Sequence, residues 1–540
     1  MTDLQINQTD PWKRLEKEAD RFQQPTLHLK ALLSDHNRFD LFSKKSAGIF
    51  FDYSRQRVDE NTMALLFELA KKARIMEKFN DMMNGKKVNV TENRAALHTA
   101  TRNLSGKPIH VDGQDVMPEL ERVKEDLRSF SEKIHQGKIK GSTGRPFSHA
   151  VVIGIGGSYL GTEFVATALS SFADKNIRIH FLSNVDFHNF DAIKRKIDPL
   201  ETLFISISKS NTTAETLANE KQAWEYLKNA GLDPSKHFVS VTGKDSPPSA
   251  IVKKSLQTFH MFDYIGGRYS VSSAVGGLPL SLFLGFDRFC AFLEGASEMD
   301  THARTASIEN NLPLIAALID TWNNNFLKYT ALGIIPYASP LSKLAPHIQQ
   351  LYMESNGKSV TTEGKTLNIR SGWIVFGEPG TNAQHSFFQL AHQGMAFPID
   401  FIGVIHPQYE ETHCLSKGVT NHQELWANLI SQPQALAMGK ADADPTKSFS
   451  GNRPSSTLVL NDLSPENVGK LLSFYEARTL FQAFLWDINP FDQFGVELGK
   501  VLAGNIRKQM AKKNENNAHQ LNTNNPISDF YLNALFSGNI

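Results

Sequence analysis

Residues 150–161 read AVVIGIGGSYLG, and the rest of the chain is organised around them. Ala150 to Ile153 form an unbroken apolar run, which predicts a strand buried on both faces of a parallel sheet. The run passes directly into Gly154, Gly156 and Gly157, followed by Ser158. Glycines at such a point permit a tight turn and a close approach of backbone to a ligand. From 162 to 170 the spacing becomes helical, so the turn aims a helix N-terminus at whatever occupies the loop. Phosphate is the usual guest of such a place. The glycines do not match the dinucleotide fingerprint, and no lysine stands in the P-loop position. A strand–helix turn without a ligand fits the same stretch.

Working outward, apolar strands are predicted at 149–155, 177–182, 203–207 and 237–241, with helical stretches between them, as βαβ units require. The third ends in Ser208-Lys209-Ser210-Asn211-Thr212-Thr213 and opens a helix. Hydroxyls and a lysine at a helix start suit an oxyanion, and Ser and Thr are equally the favoured helix caps. Two such loops at the C-terminal ends of neighbouring parallel strands favour a ligand site. A second α/β segment is predicted from 332 onward, with strands at 332–337, 372–377 and 399–405. Its polar loop is Glu378-Pro379-Gly380-Thr381-Asn382-Ala383-Gln384-His385.

The flanks differ. Residues 1–118 read as mainly helical, with a helix over 58–76 that is acidic at its start and basic at its end. In 91–103, TENRAALHTATRN, Arg94 and His98 stand four apart and could share a helix face; taken alone they read as surface residues. Gly266 and Gly267 precede Arg268 and would hold its guanidinium close to the backbone, facing a site; a surface turn fits the same run. Residues 280–329 read as a mostly helical connector, 442–456 as a polar loop, 465–486 as a helix, and 508–525 as a linker or poorly packed helix. A last apolar segment, 530–536, is expected to dock on something.

Composition removes several classes. The 540 residues carry 57 basic against 56 acidic side chains, so no net field draws the chain to nucleic acid or an anionic membrane. Charged residues make up 21% and hydrophobic ones 41%, an ordinary globular balance that leaves room for two to four domains. Two cysteines, Cys290 and Cys414, make neither a disulfide framework nor a clustered metal site. No apolar run approaches the ~20 residues of a membrane span, and residues 1–22 lack the apolar core of a signal peptide. The expectation is a cytoplasmic protein.

Five separated stretches now coincide: GIGGS at 154–158, SKSNTTAET at 208–216, GGRYS at 266–270, MESNGK at 353–358 with EPGTNAQHSFFQLAHQG at 378–394, and FDQFGVELGK at 491–500. In this order they resemble the glucose-6-phosphate isomerase family. FDYS at 51–54, TENRAALHTATRN and SFSGNRPS at 448–455 extend the likeness along nearly the whole chain. Departures are small: Phe494 stands where Trp is common, Ser210-Asn211 where Thr-Phe or Thr-Gly is, Ala383 where Gly is, and Tyr159 where Asp often is.

The resemblance implies two sugar-isomerase-type α/β/α layered domains with parallel sheets, at 119–285 and 286–510. A helical region at 1–118 precedes them, and a C-terminal helical tail at 511–540 embraces a partner subunit. It implies reversible conversion of D-glucose 6-phosphate to D-fructose 6-phosphate through ring opening and a cis-enediolate, in glycolysis and gluconeogenesis. No cofactor and no metal are expected, and the partners expected are the sugar phosphate and a second copy sharing the active sites. By the same resemblance Glu354 is the base, Arg268 the cation at the enediolate, and His385 and Lys500 the ring-opening pair, with Glu215 supporting the histidine. Gly157, Ser158, Ser208, Lys209, Ser210 and Thr213 would hold the phosphate, and Gln350 and Gln493 would touch the sugar. Two other readings stay open: a non-catalytic phosphosugar sensor on this fold, and an isomerase or epimerase of another phosphosugar such as mannose 6-phosphate.

Overall fold

The strand His149–Ile153 is buried along its whole length and lies between Arg178–Leu182 and Thr202–Ser208, parallel to both. Phe238–Gly243 and Thr258–Met261 continue this sheet on the far side of Thr202–Ser208, also parallel. Side-chain alternation then covers both faces. Ala150 and Val152 pack with Leu127, Phe130 and Ile134 of the helix Met117–His135 and with Ala274–Leu284. Val151 and Ile153 point the other way, to Phe190, Ile193, Ala223 and Leu227 of the helices Phe187–Lys194 and Ala214–Asn229. Apolar residues on successive positions are what a doubly covered parallel strand demands.

This computed structural model describes residues 5–410 and 415–540, so Cys414 lies outside the described residues. A second sheet has six strands in the order 43–46, 49–52, 455–460, 399–404, 331–336, 374–376. The last four run parallel to one another. Ile49–Asp52 joins Ser455–Leu460 antiparallel, and Ser43–Ser46 forms a hairpin on it. The predicted strands at 332–337, 372–377 and 399–405 are thus present within a few residues. Two findings correct the reading of the flanks. The mainly helical N-terminal region donates two strands to the distant sheet and holds a small hairpin of its own at 110–115. Residues 455–460, which take in the last two positions of the predicted 442–456 loop, form the fourth parallel strand. The helix expected over 58–76 is divided into Glu60–Lys72 and Ile75–Met83, because Arg74 takes a left-handed backbone with φ 53°.

The helix Pro465–Trp486 lies where it was expected, with Ser464 accepting from Asn467 N, proline in its first turn, and Asp487 ending it at φ 58°. It is buried from Leu471 to its C-terminal end and packs against Phe286–Thr305, Leu312–Thr321 and Leu344–Asn356. Residues 1–490 make one compact unit that holds both sheets, and Phe491–Ile540 makes another. The second unit is two helices, Glu497–Glu515 and Pro526–Ser537. No helix among the described residues is long and apolar enough to cross a membrane.

Candidate active site

The GIGGS turn leaves the sheet at the C-terminal end of 149–153 and meets the GGRYS turn backbone to backbone. A Cβ on Gly157 would lie 2.2 Å from the carbonyl carbon of Gly267, so only glycine fits. Ser270 Oγ ties the two together by donating to Gly157 O at 3.1 Å and Gly267 O at 2.7 Å. Gly156, at φ 57°, brings the turn to Gln350, whose Nε2 would lie 3.1 Å from a Cβ placed there. Ser158 closes the turn just before the helix Leu160–Ala168.

Gln350 belongs to the helix Leu344–Asn356, which has two working faces. Tyr352 and Asn356 bind the long 465–486 helix: Tyr352 OH donates to Gln482 Oε1 at 2.5 Å, and Asn356 Nδ2 donates to Thr479 O at 3.2 Å. The other face carries Gln350 and Glu354 one turn apart. Gln350 Nε2 donates to Glu354 Oε2 at 3.0 Å. Arg268, 3% exposed, brings Nη1 to 3.5 Å from Glu354 Oε1. Its Nε donates to Ser355 Oγ at 2.6 Å and its Nη2 to the carbonyl of Pro490. A partly exposed carboxylate beside a permanent cation can take a proton from carbon while the cation stabilises charge on the neighbouring oxygen.

The hydroxyl loop leaves the adjacent strand, Thr202–Ser208, at the same edge of the sheet. Asn211, left-handed at φ 54°, turns the chain and donates its backbone N–H to Ser208 Oγ at 3.1 Å. Ser210 Oγ and Thr212 Oγ1 stand 2.7 Å apart. Thr213 takes the cap position of the helix Ala214–Asn229 without a side-chain cap bond. Lys209 Nζ donates to the carbonyls of Asp263 and Ile265 at 3.0 and 3.1 Å, stapling this loop to the segment that leads into Arg268. Burial holds its ammonium below the usual lysine range, against the pull of Asp263.

The remaining predicted residues stand elsewhere. Glu215 is exposed in the first turn of Ala214–Asn229. His385 ends the short helix Gly380–Gln384, beyond strand Ile374–Phe376 of the second sheet, and is exposed. Among the described residues no hydrogen bond or ion pair joins it to the Arg268–Glu354 cluster. Gln493 and Lys500 belong to the second unit, where Lys500 Nζ is 2.7 Å from Glu497 Oε1.

Several residues of the site's surroundings went unassigned in the sequence. Tyr269 and Ser355 lie inside the quoted motifs; Tyr269 OH and Ser355 Oγ are 2.8 Å apart. His98, read alone as a surface residue, is 2% exposed and packs at a tilt against Tyr269 with ring centres 4.7 Å apart. His347, one turn before Gln350, is equally buried and lies flat against Phe164. A buried histidine next to site residues has no sequence signature distinct from a surface one.

A model of the phosphoglucose isomerase family matches residues 52–527 of this chain. The chain is 59% identical to the glucose-6-phosphate isomerase of Desulfosudis oleivorans over 99% of both chains. It is 44% identical to the cytosolic glucose-6-phosphate isomerase of Zea mays, covering 93% of this chain and 91% of that one. The crystal structure of a glucose-6-phosphate isomerase from Chlamydia trachomatis superposes with a TM-score of 0.89 at 36% identity, over 99% of this chain and all of the other.

Proposed function

We propose that this chain, which belongs to the phosphoglucose isomerase family, interconverts D-glucose 6-phosphate and D-fructose 6-phosphate and so serves glycolysis and gluconeogenesis. One observation carries the chemistry: a glutamate oxygen 3.5 Å from a buried guanidinium, its other oxygen held by Gln350 at 3.0 Å. Glu354 removes the proton next to the carbonyl and returns it to the neighbouring carbon. Arg268 keeps its charge throughout and stabilises the enediolate oxygen without entering the proton transfer.

The phosphate lies in the loops of Gly157, Ser158, Ser208, Lys209, Ser210 and Thr213. Held there, it supplies remote binding energy that positions the reacting carbons. Gln350 touches the sugar: its Oε1 is buried without a hydrogen-bond partner among the described residues, an acceptor suited to a sugar hydroxyl. Gln493 has the same part in the reading. His385 and Lys500 open the ring, with Glu215 aligning the imidazole. His385 serves the site of a second copy, in a homodimer that also covers the tail. In support, Leu498, Val501, Leu502, Ile527, Phe530, Tyr531 and Leu535 of the tail helices are all exposed. Two such copies in the cytoplasm complete the reading.

The test is to incubate the protein with glucose 6-phosphate in deuterated water and follow the sugar by proton NMR. Fructose 6-phosphate should appear with deuterium at C1, and the glucose 6-phosphate re-formed from it should carry deuterium at C2. Glu354→Gln, still folded, should lower turnover roughly 10²–10⁴-fold. Binding without conversion or exchange would sink the isomerase and leave a sensor.

A further inference from the structure

Ser355 lies inside a helix, fully buried, where alanine of nearly the same size would suit the helix better. A serine in that setting normally points to solvent or bonds back to its own helix. Here its hydroxyl instead takes two partners from one distant turn: Arg268 Nε at 2.6 Å and Tyr269 OH at 2.8 Å. A guanidinium is planar, so two anchors, Ser355 on Nε and the Pro490 carbonyl on Nη2, fix the whole plane. The direction of Nη1, the corner 3.5 Å from Glu354, then follows. Behind them the Tyr269 ring rests on His98, so the phenol cannot swing away from the serine. His98 is itself backed by Glu476, with Nε2 to Oε2 at 3.9 Å.

We propose that Ser355 is a positioning residue for Arg268: its hydroxyl sets the guanidinium plane so that Nη1 faces the reacting oxygen, and Tyr269, braced by His98, holds that hydroxyl. This rests on the isomerase reading above. Misplaced donors cost most where charge develops, so the loss falls on the transition state and leaves ground-state binding intact.

The experiment compares Ser355→Ala and Tyr269→Phe with the wild-type protein in turnover and in the binding of two probes. One is a phosphorylated hydroxamate whose anionic oxygen imitates the enediolate, and the other is a phosphorylated sugar alcohol without that charge. In Ser355→Ala, kcat and hydroxamate affinity should fall together, roughly 10- to 100-fold, the scale on which losing a hydrogen bond to a charged group acts. KM and sugar-alcohol affinity should stay within about 2-fold, because uniform binding is untouched. Tyr269→Phe should show the same split at roughly 3- to 10-fold, and it decides the matter should Ser355→Ala fail to fold. Equal losses for both probes, or wild-type turnover in the folded variants, would overturn the proposal. A wild-type protein inert towards glucose 6-phosphate would instead bring down the isomerase reading.

Discussion

Arg102 and Arg268 are both buried, and the molecule holds them differently. Arg102 places Nε and Nη2 on Asp300 at 2.6 and 2.8 Å and adds Glu476 at 2.6 Å. Arg478, further along the long helix, does the same with Asp320 at 2.6 Å on both nitrogens, and with Asp400. Each guanidinium closes on carboxylates inside the unit, and the charge is consumed by the interior. Arg268 donates to a hydroxyl and a backbone carbonyl, which orient it, and stands 3.5 Å from a partly exposed glutamate. The first arrangement builds the core; the second suits a cation meant for charge that appears only during a reaction.

That contrast can be broken from either side. Arg478→Leu strands Asp320 and Asp400 in the interior and should cost about 3–5 kcal/mol of stability by urea unfolding. Turnover per folded molecule should stay near that of the wild type. A cost below about 1 kcal/mol, the scale of an exposed pair, would mean that the trio is not the core element described here. Arg268→Lys keeps the charge and loses the planar fork. Turnover should drop roughly 10²–10³-fold, with the urea midpoint moving far less than in Arg478→Leu. If stability fell and turnover per folded molecule did not, Arg268 would belong with Arg102.

His347 is a third way of burying a group that can carry charge. Neither ring nitrogen has a hydrogen-bond partner among the described residues, and burial pushes its titration down to about 4 from the ordinary 6.5. Being depressed, it contributes stability that is complete above pH 6.5 and lost as pH falls through 4, up to about 3 kcal/mol. His347→Phe, stacked on Phe164 in the same slot, should abolish that part of the acid loss. Urea unfolding at pH 7 and pH 4.5 on both proteins measures it. Parallel pH curves would show that the ring finds solvent or a partner in solution.

What could be read in the sequence follows the same division. The strand at 149–153 was legible because burial on both faces writes a continuous apolar run, and the GIGGS and SKSNTT loops because turns and hydroxyls are local. The strands 43–46 and 49–52 were not, since their partner at 455–460 lies some four hundred positions away and half-exposed SKKS carries no strand pattern. Glu354 and Arg268 were reached through family motifs; nothing local says that a glutamate near a helix end faces a guanidinium from position 268. Arg94 and His98, four apart, invited a shared face, yet only His98 turned inward, because its stretch is a 3-10 turn wound over Tyr269. Pairings across the chain are set by tertiary packing, which spacing alone does not encode.

Lys209 sharpens the comparison from the ground-state side. Its ammonium donates to two backbone carbonyls, at 3.0 and 3.1 Å, but in the proposed site its loop addresses a phosphate whose charge does not change during the reaction. A cation facing constant charge binds substrate and transition state equally, so removing it should raise KM and leave kcat alone. Lys209→Met should therefore raise KM for both sugar phosphates roughly 10-fold. Turnover at saturation should stay within about 3-fold of wild type, where Arg268→Lys does the reverse. Steady-state kinetics in both directions measure the split. A fall in kcat as large as the rise in KM would place the staple to Asp263 and Ile265, and not the phosphate contact, as the main work of Lys209, because loosening that segment would move Arg268 itself.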